Sequence, residues 1–263
     1  MKKIIYPVFA FFILTACEKG GVYNSDSSMQ DAVGANGKGG SMARFAISGD
    51  MLYTVSSNNL QLFNIEDAAD PKYFPERNLK VGFDIETIFP MDTLLFIGSQ
   101  NGMYVYDIAE PRFPFLLSQV SHFRSCDPVV AQGNYAFVTL NTNISSCGAT
   151  PNNVLDIYDI SDLSNPVLKK TVQLQGPAGL GIDGEKLFVC DKGLKVFNIS
   201  DPLNLRQIDD LIEIDEVDVR EAYDVIPVDG VLMLIAQEGL FQFDYTGDRL
   251  KYLSRITIKK GAP

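Results

Sequence analysis

The sequence predicts an all-β protein, a β-propeller of about five four-stranded blades. Three observations predict this fold. A β-prone segment of similar sequence occurs five times, turns rich in Gly and Asn separate the apolar segments, and no helical period runs through the repeats. Of the 263 residues, 46% are hydrophobic and 21% are charged, which is a globular composition. Because one four-stranded sheet cannot bury both faces alone, we expect the units to stack face to face around an axis.

The N-terminus predicts a secretory signal peptide over residues 1–16. Residues 1–3 form a short basic start, an apolar run covers residues 4–14, and small residues follow. The run is short for a membrane span, and a retained N-terminal anchor is the alternative interpretation. The segment LTAC, residues 14–17, resembles the lipobox of bacterial lipoproteins. That resemblance implies that Cys17 is acylated and anchors the exported protein to the lipid membrane of the cell envelope, which we expect to be the outer membrane.

Residues 17–43 predict a flexible tether between the lipidated Cys17 and the folded domain. The segment is rich in Gly, Ser and Asn and has almost no apolar periodicity, so it cannot bury enough surface to offset the entropy of ordering. On Gly-rich coil scaling it reaches roughly 25–30 Å. The propeller domain is therefore predicted over residues 44–263.

Each repeat contains a segment that ends in Asn or Asp followed by a bulky apolar residue. Equivalent positions lie about 39 to 52 residues apart. A second strand precedes the segment across a turn of Gly or Asn type, a first strand lies further upstream, and a fourth strand follows. A β-solenoid rung is shorter than this unit, and a β-sandwich has no reason to repeat. The recurring side chain is predicted to accept hydrogen bonds from turn amides, at Asn64, Asp107, Asp159, Asn198 and Asp244.

The repeated pattern resembles the LVIVD repeat of bacterial and archaeal propeller proteins. The likeness is strongest in GLKVFNISDP, residues 193–202, and in GMYVYDIAEP, residues 102–111, and it extends over nearly all of residues 44–258. The resemblance implies a propeller fold and agrees with export, since many members are exported. It implies no particular activity, because the family has no single assigned one.

Cys126 and Cys147 are predicted to form a disulfide. In an up-and-down blade, the start of the first strand and the loop between the second and third strands lie on the same rim, and these two cysteines occupy those positions in the third repeat. Export brings them into an oxidising compartment, where closing the loop would contribute about 3 kcal/mol on chain-entropy grounds. Two unpaired thiols are the alternative. Cys190 ends an apolar strand and is predicted to be a small buried hydrophobic residue.

A polar cluster in the third repeat is the candidate binding rim, because binding residues tend to lie on loops of a rigid scaffold. It combines the insertion at residues 141–153 with the chain that enters the third blade. A solvated connection between blades is the alternative for His122 and its neighbours. The candidate residues are His122, Arg124, Asp127, Asn141 and Asn143.

An enzyme is the alternative function. It would be a sugar- or lactone-type hydrolase at the central mouth of the propeller, using acids near the strand entries: Asp84, Glu86, Asp127 and Glu221. No phosphate loop or nucleophile elbow occurs, so no catalytic residue is assigned. The acidic stretch at residues 209–221 has no EF-hand spacing and favours a solvated strand edge. No metal site and no cofactor are therefore predicted, with Ca²⁺ at this stretch as the minor alternative.

Charge and composition exclude further classes. Lys and Arg number 22 against 33 Asp and Glu, a net charge of -11 without a basic cluster, so nucleic-acid binding is not expected. The single His excludes a zinc site built on several histidines. The sequence thus predicts a lipid-anchored, non-catalytic binding or scaffolding module for a protein or glycan of the envelope, and it does not separate a protein binder from a lectin-like carbohydrate binder.

Overall fold

Five antiparallel β-sheets, one for each predicted repeat, form the blades of a propeller. The computed structural model describes residues 39–122, 128–143, 152–214 and 217–258. Strands follow one another in chain order within every blade, and the first strands of successive blades contact each other around the axis. The all-β, five-blade prediction is confirmed. No helix in this described part of the chain is long and apolar enough to cross a membrane.

The strand bounds follow the predicted hairpin units. Blade 1 contains β1 (Phe45–Ser48), β2 (Met51–Val55), β3 (Asn59–Asn64), β4 (Lys72–Tyr73) and β5 (Leu79–Lys80). Blade 2 contains β6 (Ile85–Met91), β7 (Leu94–Ser99), β8 (Gly102–Asp107) and β9 (Phe115–Ser121). Blade 3 contains β10 (Val129–Gln132), β11 (Tyr135–Leu140), β12 (Val154–Asp159) and β13 (Val167–Gln173). Blade 4 contains β14 (Pro177–Asp183), β15 (Lys186–Asp191), β16 (Leu194–Asn198) and β17 (Arg206–Leu211). After the short ribbon β18 (Glu213–Ile214) and β19 (Val217–Asp218), blade 5 contains β20 (Ala222–Val228), β21 (Val231–Ala236), β22 (Gly239–Asp244) and β23 (Lys251–Thr257).

Blade 1 differs from the predicted unit at its outer edge. In place of one fourth strand, β3 pairs with two short strands, β4 and β5. A 3₁₀ turn at Pro75–Arg77 separates them. Because proline has no N–H to donate, the ladder is interrupted at this point.

Only the first residues of the acidic stretch at residues 209–221 form the strand edge that the sequence predicts. Leu211 ends β17, opposite Leu194 at the start of β16, so β17 has no partner strand beyond that pair. The chain then forms the separate ribbon of β18 and β19 before blade 5 begins. Residues 209–211 thus belong to the outer strand of blade 4, and the rest of the stretch connects blades 4 and 5.

The recurring Asn or Asp after each third strand closes an Asx turn, as predicted. In all five blades its side-chain oxygen accepts a hydrogen bond from the main-chain N–H two residues later, at distances from 2.7 to 3.1 Å. In Asp159 and Asp244, hydrogen bonds from neighbouring residues hold the carboxyl pKa below its usual value. The repeated signature is thus a local turn device and not a scattered metal site.

In the part of the chain that the structure describes, four buried clusters hold the blades together, one each between blades 1 and 2, 2 and 3, 3 and 4, and 4 and 5. The middle strands of blades 2 to 4 are consequently buried on both faces almost throughout. Cys190 lies in the cluster between blades 4 and 5 and is 1% exposed, which confirms the prediction of a buried thiol. Burial raises its pKa well above the usual value.

Blades 1 and 5 each pack on one neighbouring blade through such a cluster. Their middle strands alternate between buried and half-buried residues, because one face of each packs on the neighbouring blade and the other face does not. Among the described residues, no buried cluster joins blade 5 to blade 1. We call these two half-buried faces the seam: Leu52, Thr54, Gln61 and Phe63 on blade 1, and Met233, Ile235, Leu240 and Gln242 on blade 5. The two chain ends do not share a sheet, since β1 and β23 belong to different blades.

Candidate functional site

The sequence-predicted site residues that the structure describes belong to one rim of the propeller, where the first strand of each blade begins and where the second and third strands connect. We call it the entry rim. The described candidates are His122, Asn141, Asn143, Asp84, Glu86 and Glu221. The other candidates lie outside the described residues, so the disulfide, the lipidation site and part of the binding rim stay predictions: Cys17, Arg124, Cys126, Asp127 and Cys147.

Three asparagines fasten the insertion of blade 3 to the chain that enters blade 4. Asn141 is 8% exposed, and its Nδ2 donates to the carbonyl of Pro177 at 2.6 Å. Asn143 and Asn153, one on each stem of the insertion, both donate from Nδ2 to the carbonyl of Gln175, at 2.8 and 2.9 Å. We call Asn141, Asn143 and Asn153 the asparagine clamp. The amide groups of the two predicted candidates are thus engaged within the protein.

The clamp rests on a fixed base. The Asp191 carboxylate Oδ1 accepts hydrogen bonds from the main-chain N–H groups of Gln175 and Gly176, at 2.9 and 2.7 Å. Its Oδ2 lies 3.2 Å from the Lys195 ammonium. Asp191 is 1% exposed, so these contacts compensate a buried charge. The stems of the insertion are therefore held on an ordered platform.

His122 lies between blades 2 and 3. The main-chain N–H of His122 donates to the carbonyl of Asn101 at 3.3 Å. This bond continues the hydrogen bonding of blade 2 one residue beyond β9. The histidine also interacts electrostatically with Asp156 on the third strand of blade 3. Burial raises the pKa of Asp156, whereas the Thr171 hydroxyl at 2.6 Å and His122 act in the opposite direction. His122 is thus half-buried beside a polar group of the next blade, which its sequence context does not predict.

The acids of the hydrolase hypothesis occupy two blades. Asp84 and Glu86 lie at the start of β6, where Glu86 Oε1 accepts from Gln100 Nε2 at 3.2 Å. Glu221 is exposed and precedes β20. In the ranges that the structure describes, no three His, Cys, Asp or Glu side chains come together as a metal site would require. Asp84 and Glu86 belong to the start of blade 2, whereas Glu221 precedes the first strand of blade 5.

The segment of residues 39–43 crosses the axis at the entry rim, and we call it the axial latch. The latch contains a turn in which the Ala43 N–H donates to the Gly40 carbonyl at 3.0 Å. The Ala43 carbonyl accepts from the Ile88 N–H of blade 2, and the Ser41 Oγ accepts from the Leu180 N–H of blade 4 at 2.7 Å. The predicted tether extends to residue 43, whereas Ser41 is 1% exposed, so the packed chain includes Gly39 and not only residues from 44 onward.

Asp224 of blade 5 holds the other side of the latch. Its carboxylate accepts from the Ser41 hydroxyl and from the Met42 N–H, each at 3.2 Å. The side chain is 7% exposed, and this burial raises its pKa to about 6. A Cβ on Gly40 would lie 1.9 Å from Oδ2, and one on Gly179 would lie 2.2 Å from Oδ1. Glycine is therefore required on both sides of this carboxylate.

A cavity of about 340 Å³ lies on the axis beside the latch. The first strands of blades 2 to 5 line it, and Gly39 of the latch also borders it. Its walls are mostly apolar, with Asp92, Gln132 and Asp183 at the ends of the lining strands. Asp183 accepts from the Tyr245 hydroxyl at 2.6 Å, and burial raises the pKa of that phenol to about 12. The cavity thus approaches the rim opposite the entry rim, where the sequence placed no candidate.

A sequence profile of the LVIVD repeat matches residues 147–173. That range covers part of the blade 3 insertion together with β12 and β13, so the chain carries an LVIVD repeat in blade 3. No curated protein matches the sequence significantly.

Solved structures with a similar fold have low sequence identity. A protein from Lactobacillus plantarum has a TM-score of 0.62 at 14% identity, over 81% of this chain and 74% of its own. A functionally unknown protein from Desulfotomaculum acetoxidans has a TM-score of 0.56 at 16% identity, over 78% of this chain and 68% of its own. A Bacteroides fragilis protein with a provisional assignment as a 6-phosphogluconolactonase has a TM-score of 0.57 at 12% identity, over 82% of this chain and 70% of its own. These likenesses concern the fold alone.

Proposed function

We propose that this protein is a non-catalytic binding or scaffolding module, held at the cell envelope through a lipidated Cys17. The contact surface is the entry rim of blade 3, centred on the insertion at residues 141–153, and the partner is an envelope protein or glycan. The observation that carries the proposal is the asparagine clamp, which fixes both stems of the insertion to blade 4.

A fixed stem favours binding because a preorganised loop loses less conformational entropy when a partner docks. The clamp uses three side-chain amides, and Asp191 orders the chain to which they bind. A loop that served only as a connection between two strands would not need such support. The insertion is therefore best explained as a presented surface.

The hydrolase hypothesis has less support. The described acids lie in two blades, and no described contact joins the acids of blade 2 to Glu221; the axial latch is hydrogen-bonded to blades 2, 4 and 5. The likeness to the Bacteroides fragilis protein is at 12% identity and concerns the shared propeller architecture. No geometric feature of the described acids favours a reaction over binding.

Partner capture tests the proposal. The full-length chain and a variant with residues 144–151 replaced by a Gly-Ser linker are compared by chemical cross-linking in intact cells. A linker replacement of residues 66–69, in an exposed turn of blade 1 on the opposite rim, is the matched control. We expect the first replacement to abolish a discrete cross-linked product that the control retains.

Two outcomes would contradict the proposal. One is a product that forms equally in all three proteins. The other is turnover of a sugar or lactone substrate that is lost in Glu86→Gln with the fold intact. Protease or glycosidase treatment of the cross-linked product then decides whether the partner is a protein or a glycan.

A further inference from the structure

The axial cavity has an apolar body and an acidic end. Its volume of about 340 Å³ lies near the lower end of the range of about 300–1,000 Å³ that small-molecule sites span. Half-buried apolar side chains of blades 2, 4 and 5 line it, among them Met91, Ile182 and Ile226. Asp92 and Asp183 border it where the first strands of blades 2 and 4 end. Because Asp92 is exposed, the cavity reaches the solvent at this acidic end.

The main chain adds hydrogen-bond acceptors to the cavity. In an antiparallel pair, the N–H and C=O groups of every second residue point away from the partner strand. The Ile88 N–H donates to the Ala43 carbonyl of the latch and not to β7, so the main-chain groups of Ile88 and, two residues later, of Pro90 point to the axis. Pro227 has the same register in blade 5. Since proline has no N–H, these two positions present a carbonyl oxygen to the axis without a donor beside it.

An organic cation complements these features. Carboxylates and main-chain carbonyls accept hydrogen bonds from an ammonium group, and apolar walls accommodate its hydrocarbon body. No Lys or Arg of the described chain borders the cavity, and the net charge of -11 attracts cations to the protein. Within the described ranges, no three His, Cys, Asp or Glu side chains come together, so a bare metal ion would lack a ligand set there. The cavity therefore favours a cation that brings its own apolar body.

We infer that the axial cavity binds a small organic cation, a primary ammonium group on an alkyl or aryl body. The ammonium group lies at the acidic end, near Asp92 and Asp183, and the hydrocarbon body extends along the apolar walls. The Tyr245 hydroxyl, which donates to Asp183 Oδ2 at 2.6 Å, holds that carboxylate in place. This site goes beyond the proposed function and does not rest on it. Loss of the cross-linked product would leave the cation site standing, and failure of cation binding would leave the proposed function standing.

Matched small molecules test the inference. Ligand-observed NMR and isothermal titration calorimetry compare phenylbutylamine, phenylbutanol and phenylbutyrate on the full-length chain, since their end groups are cationic, neutral and anionic. We expect the amine to bind with a dissociation constant on the order of 0.1–1 mM, about tenfold more tightly than the alcohol, and the carboxylate not to bind. Equal binding of the amine and the alcohol, binding of the carboxylate, or no saturable binding of the amine would each overturn the inference.

Asp92→Gly removes one charge at the acidic end without straining the backbone. Asp92 has a φ of 51°, and glycine has this left-handed conformation at the equivalent turn positions of blades 1, 3 and 4. Asp229→Gly is the matched control, because Asp229 has a φ of 49° at the same turn position in blade 5 and does not line the cavity. We expect the first substitution to weaken amine binding about threefold to tenfold and the control to change it less than about twofold. Equal losses would indicate general attraction of cations to an acidic surface and would overturn the inference.

Ile226→Ala tests whether the probe occupies the cavity itself. The substitution shortens an apolar wall, so amine and alcohol binding should both weaken about threefold to tenfold. Ile256→Ala is the control, because Ile256 lies on β23, the outer strand of blade 5, and is 69% exposed. Melting temperatures within about 2 °C of the parent protein establish that Asp92→Gly and both controls fold, and they keep the charge test valid if Ile226→Ala is less stable. Unchanged amine binding in a folded Ile226→Ala protein would place the probe elsewhere and overturn the inference.

Discussion

Asp224 shows how one buried carboxyl can organise the centre of a propeller. Its two oxygens accept hydrogen bonds from the latch residues Ser41 and Met42, and glycines at positions 40 and 179 leave the room that the carboxylate needs. The same burial that orders these contacts raises its pKa to about 6. Stability and protonation are therefore linked at this residue.

The pH dependence of unfolding should reveal that linkage. Well below pH 4 the carboxyl of Asp224 is protonated in both the folded and the unfolded chain, so its free energy of unfolding does not depend on pH. Between about pH 4 and 6 the unfolded chain has lost this proton while the folded chain still holds it, so the free energy of unfolding falls by about 3 kcal/mol, and the loss is complete above about pH 6. Urea unfolding between pH 4 and 7 should show this fall in the parent protein relative to Asp224→Asn. Parallel stability profiles for the two proteins would contradict it.

A methyl group beside the carboxylate should disrupt the latch. Gly40→Ala places a Cβ 1.9 Å from Asp224 Oδ2, so we expect a loss of about 1–3 kcal/mol in thermal unfolding. Gly247→Ala is the control, because the nearest atom to its Cβ would be 3.9 Å away. Equal stability of the two variants would show that the latch does not hold Asp224 as described.

At the scale of elements, the sequence predicts contacts between residues that are close in the chain, but not contacts between residues that are far apart in it. The Asx turns join residues two positions apart, so the repeated Asn or Asp suffices to predict them. The latch joins Ser41 to Asp224, which are 183 positions apart, and its Gly and Ser residues have the composition of a tether. The broken outer strand of blade 1 depends on the 3₁₀ turn at Pro75–Arg77, which the repeat pattern does not predict.

The asparagine clamp makes a prediction at the same scale. Asn141→Ala removes the bond to the Pro177 carbonyl and should cost about 1–3 kcal/mol, because that carbonyl loses its partner in a buried setting. Hydrogen exchange should also become faster at Asn143 and in the neighbouring stem. Asn152→Ala is the matched control, since Asn152 contacts Thr142 through its main-chain N–H. Equal exchange in both variants would remove the structural role of the clamp.

For the whole molecule, the three interior blades are packed on both faces, whereas the first and last blades, which form the seam, are packed on one face. Blades 2 to 4 have neighbours on both sides, whereas blades 1 and 5 each present a half-buried face. The five-fold repeat predicted the number of blades, but it could not predict the seam. Whether the last blade packs on the first depends on the total of the rotation angles between successive blades. No residue within a single repeat determines that total.

Native-state hydrogen exchange should follow this division. Amides in β7, β8, β11, β12 and β15 should be more strongly protected than those in β2, β3, β21 and β22, because opening a blade with one free face exposes less apolar surface. Mass spectrometry of peptides from the two groups measures the difference. Uniform protection across all five blades would show that blades 1 and 5 pack as tightly as the others.

The axial latch also determines how the domain responds to a mechanical load. A pull on the chain ahead of Gly39 acts first on hydrogen bonds to β6, β14 and β20, because residues 39–43 contact blades 2, 4 and 5 before the chain enters β1. The tension is therefore shared among three blades and does not peel β1 from its hairpin alone. A pull on the N-terminal chain is thus resisted at the centre of the propeller, where the blades converge, and not at its edge.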